Sequence, residues 1–210
     1  MINYRRRYWL FAAALAALAG FADATAFVHL GGYFVSFMSG NSTRLGVGLA
    51  EDWSAAALAG GLIALFVLGV MIGALANRGG DHAGSIRVLI LVSAGLAIAG
   101  AFASLNAPAF AIAALVCAMG ALNGVFQRDG EVAIAITYMT GTLVRMGRAI
   151  IVALTGGPRW HWAPYLLLWI GLVTGAALGA LSYAAIGLMG LWGAALAAAA
   201  LTIIFTRMPA

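Results

Sequence analysis

The chain has 210 residues, 64% of them hydrophobic and 8% charged, with a mean hydropathy of +1.04. A soluble domain is about 45–50% apolar and about 25% charged, so this composition excludes a water-soluble globular domain and makes lipid the solvent. The net charge of +5 rests on 11 basic residues, all arginine, which sit at the ends of apolar runs and form no face that could follow phosphates; nucleic acid is excluded as a partner.

In chain order, Arg5, Arg6 and Arg7 lead into an apolar run over residues 8–28. Ala22-Asp23-Ala24 imitates a signal-peptide cleavage site, but the segment is read as a first membrane helix. Further apolar runs fall at 54–76, 86–105, 109–126, 162–186 and 189–205, each reaching or approaching the roughly 20 residues that cross a bilayer. Two other stretches, 31–50 and 132–154, are apolar but broken by glycine and hydroxyl residues, and each carries arginine. They are expected to be either full spans or broken, half-penetrating helices. Trp9, Trp53, Trp160, Trp162 and Tyr165 form an expected aromatic belt, and His29, His82 and His161 lie near span ends without metal-ligand spacing.

The two halves repeat. Phe37-Met38-Ser39-Gly40-Asn41-Ser42-Thr43-Arg44-Leu45-Gly46 aligns with Tyr138-Met139-Thr140-Gly141-Thr142-Leu143-Val144-Arg145-Met146-Gly147. Upstream, Gly20 and Asp23 align with Gly120 and Asn123; downstream, Gly69 and Gly73 align with Gly175 and Gly179. This predicts a duplication with repeats at 1–106 and 107–210. Arginine placement chooses the topology. With six spans and both termini cytoplasmic, Arg78, Arg87, Arg128, Arg145, Arg148, Arg159 and Arg207 fall inside and only Arg44 is left outside. Eight spans would move Arg78, Arg87 and Arg128 outside, against the positive-inside rule. The expected fold is therefore all-α and polytopic, with six transmembrane helices plus two broken or re-entrant segments in two inverted three-span repeats.

Asp23 is the sole carboxylate well inside an apolar run, about two-thirds of the way across. A charge at that depth is costly, so it faces the protein interior, either as a functional group, in an ion pair with Arg44 or Arg145, or as a cap where the helix ends early. Its repeat partner is Asn123, of the same shape but unable to titrate. In the glycine motifs, Gly40 and Gly141 are expected to open the backbone, with Ser39, Asn41, Thr140 and Thr142 capping the helices that begin there. Arg44 and Arg145 would then add charge to two helix N-termini and make a site for an anionic or hydrogen-bonding group. Gly69, Gly73, Gly175 and Gly179 are assigned to close helix packing. Cys117, the single cysteine, allows no internal disulfide. No pattern for a nucleophile with its base, a metal site or a phosphate loop occurs, so an enzyme is not expected and no cofactor is implied.

Gly20-Phe21-Ala22-Asp23-Ala24, Leu30-Gly31-Gly32-Tyr33-Phe34, Phe37-Met38-Ser39-Gly40-Asn41, Met119-Gly120-Ala121-Leu122-Asn123 and Thr137-Tyr138-Met139-Thr140-Gly141-Thr142-Leu143 resemble the YoaK-like bacterial membrane proteins over nearly the whole chain. Ser39 stands where the family pattern has Thr, and Leu122 where it has Gln. That family is a domain of unknown function, so the resemblance implies a multi-pass protein of the bacterial inner membrane and supplies no substrate. The expected function is a transporter or channel-like permease for a small anionic or hydrogen-bonding solute, proton-coupled through Asp23. The alternative is a non-transporting membrane scaffold or assembly factor. Lipid and a small solute are the expected partners, and a homo-oligomer is left open.

Overall fold

The computed structural model describes residues 6–128, 131–132 and 136–208. Its helices are α1 (Arg6–His29), α2 (Met38–Glu51), α3 (Trp53–Ala76), α4 (His82–Ser104), α5 (Pro108–Leu122), α6 (Met139–Leu154), α7 (Ala163–Ile186) and α8 (Leu191–Thr206). A short 3-10 turn, Gly187–Gly190, joins the last two. Two two-residue strands, Gln127–Arg128 and Glu131–Val132, pair antiparallel between the apolar run at 109–126 and the broken segment that begins at 132.

Among the described residues, four stretches are long and apolar enough to cross a membrane: Arg7–His29, Trp53–Ala76, His82–Ser104 and the 44-residue run Ala163–Thr206; Pro108–Leu122 is apolar but shorter. The apolar run at 109–126 therefore ends as a helix at Leu122, four residues earlier than hydropathy suggests. Asn123 and Gly124 leave the helical ladder there, with N–H groups bonded to Gly120 O at 3.3 Å and Ala121 O at 2.8 Å. The molecule turns apolar side chains outward: Leu68, Met71 and Leu75 of α3 are 46%, 57% and 54% exposed. Water would oppose such a surface; hydrocarbon does not.

Contacts fix the helix directions. Gly171, Gly175 and Gly179 of α7 lie against Ala13, Ala17 and Phe21 of α1 in step, so α1 and α7 are parallel. Gly69 and Gly73 of α3 lie likewise against Cys117 and Ala121 of α5. Antiparallel pairs close the set. Phe11 and Phe205 rings are 4.9 Å apart between α1 and α8, and Phe21, further along α1, lies against Gly190 at the start of α8. Ser93 and Thr202 hydroxyls are 3.1 Å apart between α4 and α8, and Trp192 Nε1 donates to Ser104 Oγ at 3.0 Å. Ser85 Oγ donates to the Val125 carbonyl at 2.7 Å just past α5, and Gly95, further along α4, lies against Ala118, earlier on α5. Thus α1, α4 and α7 run one way and α3, α5 and α8 the other. The packing is also matched: α1 lies on α7 as α5 lies on α3, α8 on α1 as α4 on α5, and α6 on α7 as α2 on α3.

The short α2 folds back along α3, with Gly48 against Ala56 and Leu45 near Gly60. Its N-terminal end therefore lies some way along α3 from the corner at Asp52. That corner is set by Asp52 itself, whose Oδ1 accepts from Ser54 N at 2.9 Å and Ser54 Oγ at 2.6 Å. These bonds to the ionised form hold its carboxyl below the ordinary aspartate range.

Candidate functional site

Gly31 and Gly32 follow α1 with φ of +67° and +107°, left-handed values that glycine adopts at little cost, and they turn the chain back toward α1. The returning stretch of backbone has no ladder, and Val35 and Ser36 on it are buried, so its polar groups need other partners. Asp23 supplies them: its Oδ1 accepts from Val35 N at 2.8 Å and Ser36 N at 2.7 Å, and its Oδ2 accepts from Ser36 Oγ. Asn41, fully buried in the first turn of α2, satisfies both backbone groups of Phe34; its Oδ1 accepts from Phe34 N at 3.0 Å and its Nδ2 donates to Phe34 O at 2.7 Å.

The second half repeats the device with an amide. Thr137 Oγ1 donates to Asn123 Oδ1 at 2.9 Å, and Asn123 Nδ2 donates to Met119 O at 3.2 Å. Thr142, buried, donates to Tyr138 O at 3.2 Å and stays within its own turn. Ser36 and Thr137 are the residues the sequence reading missed. The signal was present, since they are a hydroxyl pair one position upstream of the aligned motifs.

Gly40 and Gly141 are not where the backbone opens. Both are helical, in the first turns of α2 and α6, and the helix caps are Phe37 and Tyr138, neither making a side-chain cap bond. A Cβ at Gly40 would lie 2.7 Å from Cδ1 of Phe37, and one at Gly141 would strike the Tyr138 ring. Glycine is needed there because an aromatic ring folds over the first turn. The break is carried by Gly31 and Gly32 in the first half; in the second, residues 133–135 lie outside those described. Ser39 and Thr140, expected as caps, are exposed and cap nothing.

Neither arginine pairs with Asp23. Arg44 lies over the Tyr33 ring, 4.7 Å from its centroid, and faces a separate polar groove of about 660 Å³ shared with Glu51 and Asp52. Arg145 is exposed on α6. Among the described residues the one ion pair is Arg87 with Asp81 at 3.7 Å, far along the chain from either.

Asp23 instead lines a groove of about 470 Å³ built from both halves: Phe34 and Phe37 from the first, Thr137, Thr140 and Trp169 from the second. Of the ten residues singled out in the sequence, this groove takes Asp23 and Thr140. Asn123 stands behind it through Thr137, and Asn41 holds one wall. A larger apolar cleft of about 630 Å³ between α1, α7 and α8 has Ser182 as its one hydroxyl and offers little to orient a solute.

Against known proteins, the family model described as "Protein of unknown function (DUF1275)" matches residues 11–204. The chain is 35% identical over 207 residues to the UPF0700 transmembrane protein RA0705 of Rhizobium meliloti (strain 1021), covering 94% of this chain and 85% of that relative. No solved structure matches the chain. The matched region spans both broken segments and the groove between them, and the chain belongs to the DUF1275 family of transmembrane proteins, the YoaK-like family that its motifs resemble.

Proposed function

We propose that the protein is a multi-pass permease of the bacterial inner membrane that passes a small hydrogen-bonding solute by way of the Asp23 groove. One observation carries this reading: an intramembrane carboxylate, braced by a broken segment, faces a small-molecule-sized groove to which both halves contribute polar groups. Secondary transporters place their sites at such repeat interfaces, beside discontinuous helices. The alternating directions of α1, α3, α4, α5, α7 and α8 support six passes, with α2 and α6 returning without crossing. Equivalent helices run oppositely, which supports inverted repeats at 1–106 and 107–210. Because a carboxylate faces the groove and both arginines lie elsewhere, a hydrogen-bonding solute is favoured over an anion.

Topology is tested by cysteine labelling from outside in a Cys117→Ala background. A cysteine at Glu51 is expected to be labelled and one at Gly79 spared. Labelling at both, or the reverse, removes the six-pass reading. Transport is tested by a thermal-shift screen of small amines, weak acids and nucleobase-like compounds, followed by flux of any hit into proteoliposomes. Saturable flux that Thr140→Trp blocks by filling the groove is the expected result. No stabilising compound, together with a co-purifying protein partner, would favour the membrane scaffold.

A further inference from the structure

We infer that the solute taken at the Asp23 groove is an organic cation with an apolar or aromatic body, of the protonated-amine class. This rests on the permease reading and names the substrate class for it. The argument starts from the polar inventory. Asp23 Oδ1 accepts from two N–H groups and Oδ2 from the Ser36 hydroxyl, with the Phe37 N–H also turned to the carboxylate; these are all neutral donors, so the carboxylate is solvated by the chain without being neutralised. Thr137 spends its proton on Asn123 Oδ1, an orientation fixed by the Asn123 Nδ2 bond to Met119 O, so toward the groove it offers an acceptor. The two polar groups whose roles are fixed by these bonds thus both accept, and one is a carboxylate.

Among the described residues the protein supplies no counter-charge to this carboxylate. A carboxylate away from water is stable when paired, yet among the described residues no arginine lines the groove. Arg44 is engaged with Tyr33, and Arg145 is exposed on α6. The chain has no lysine to substitute. The remaining walls suit a cation as well. Phe27 and Phe34 rings are 5.0 Å apart, and Phe34 and Phe37 meet edge to face at 5.1 Å, with Trp169 also lining the groove. Aromatic faces attract an ammonium within about 6 Å and bury an apolar body at the same time. At about 470 Å³ the groove lies inside the range of about 300–1,000 Å³ typical of small-molecule sites.

The test compares phenethylamine, phenethyl alcohol and hydrocinnamate, which are close in shape and differ in charge, against the purified full chain in phosphatidylglycerol nanodiscs, so that no lipid ammonium competes. Calorimetric titration is expected to show saturable phenethylamine binding on the order of tenfold tighter than either analogue. Asp23→Asn is expected to remove that preference and leave alcohol affinity within about twofold, while Asp23→Glu keeps it. Should the asparagine variant fail to accumulate, Trp169→Leu, which removes a ring face and no charge, is expected to weaken the amine selectively. Equal or tighter binding of hydrocinnamate, a preference that survives Asp23→Asn, or no saturation by any of the three overturns the cation class. Saturable flux of a neutral or anionic solute that Thr140→Trp blocks would overturn the cation class while leaving the permease standing.

Discussion

Gly175→Leu is expected to abolish accumulation of the folded protein, and Gly69→Leu to do the same. A Cβ at Gly175 would sit 2.6 Å from Ala17 Cα as well as against the Ala17 carbonyl, and one at Gly69 would sit 2.9 Å from Cys117 Cα and against the Cys117 carbonyl. The obstructing atoms are backbone, so no rotamer change relieves them. Overpacking a core costs about 1–3 kcal/mol where side chains can give way, and here a whole helix must move. In lipid, helices associate through close packing rather than through a hydrophobic drive, so a crossing that loses contact has little to replace it. The control lies in the same sequence. Gly46 and Gly147, also matched between the halves, have nothing within 4 Å of a Cβ. Gly147→Ala should therefore hold or slightly raise the melting temperature, since alanine is favoured over glycine in a helix by about 1 kcal/mol. Detergent-solubilised yield by size exclusion and thermal melting decide it. Wild-type yield and melting for Gly175→Leu would mean that α1 and α7 do not cross at this distance.

The contrast between those glycines marks what the sequence could and could not say. The four long apolar stretches were legible because hydrocarbon demands such runs whatever the packing. The small-residue pairs at Gly69, Gly73, Gly175 and Gly179 were legible as crossings because helical spacing puts them on one face. Gly40 and Gly141 were not, because the ring that excludes a side chain there belongs to a cap residue whose rotamer is a tertiary fact. Hydropathy also ran through Val125 and Phe126, although the helix stops at Leu122; hydropathy reports the solvent and is silent on backbone conformation. Ser36 and Thr137 escaped notice because one hydroxyl in an irregular segment has no period. An ion pair of Asp23 with Arg44 or Arg145 was one reading left open, yet Arg44 folds over Tyr33 and Arg145 is exposed, which sequence spacing does not reveal.

Asp23→Asn is expected to leave the fold nearly intact while lowering solute flux by more than tenfold and removing its dependence on pH, a loss of at least about 1.4 kcal/mol in transport free energy. The molecule contains the precedent for the first half of that expectation: Asn123 already holds Thr137 through an amide oxygen. An asparagine at position 23 can keep its Oδ1 toward the Val35 and Ser36 N–H groups, and the Ser36 hydroxyl can turn to accept from Nδ2. What the variant lacks is the charge and the ability to take up a proton, so transport reports the chemistry and melting reports the scaffold. Asp23→Leu separates the two further. It leaves two N–H groups without an acceptor, at about 1–3 kcal/mol each, and frees the segment that Gly31 and Gly32 turn inward. Its melting temperature should fall well below that of Asp23→Asn. If Asp23→Asn transports with wild-type pH dependence, the carboxylate is only a brace for residues 30–37. If it instead melts as low as Asp23→Leu, the negative charge itself holds that segment, and the coupling role passes to some other group.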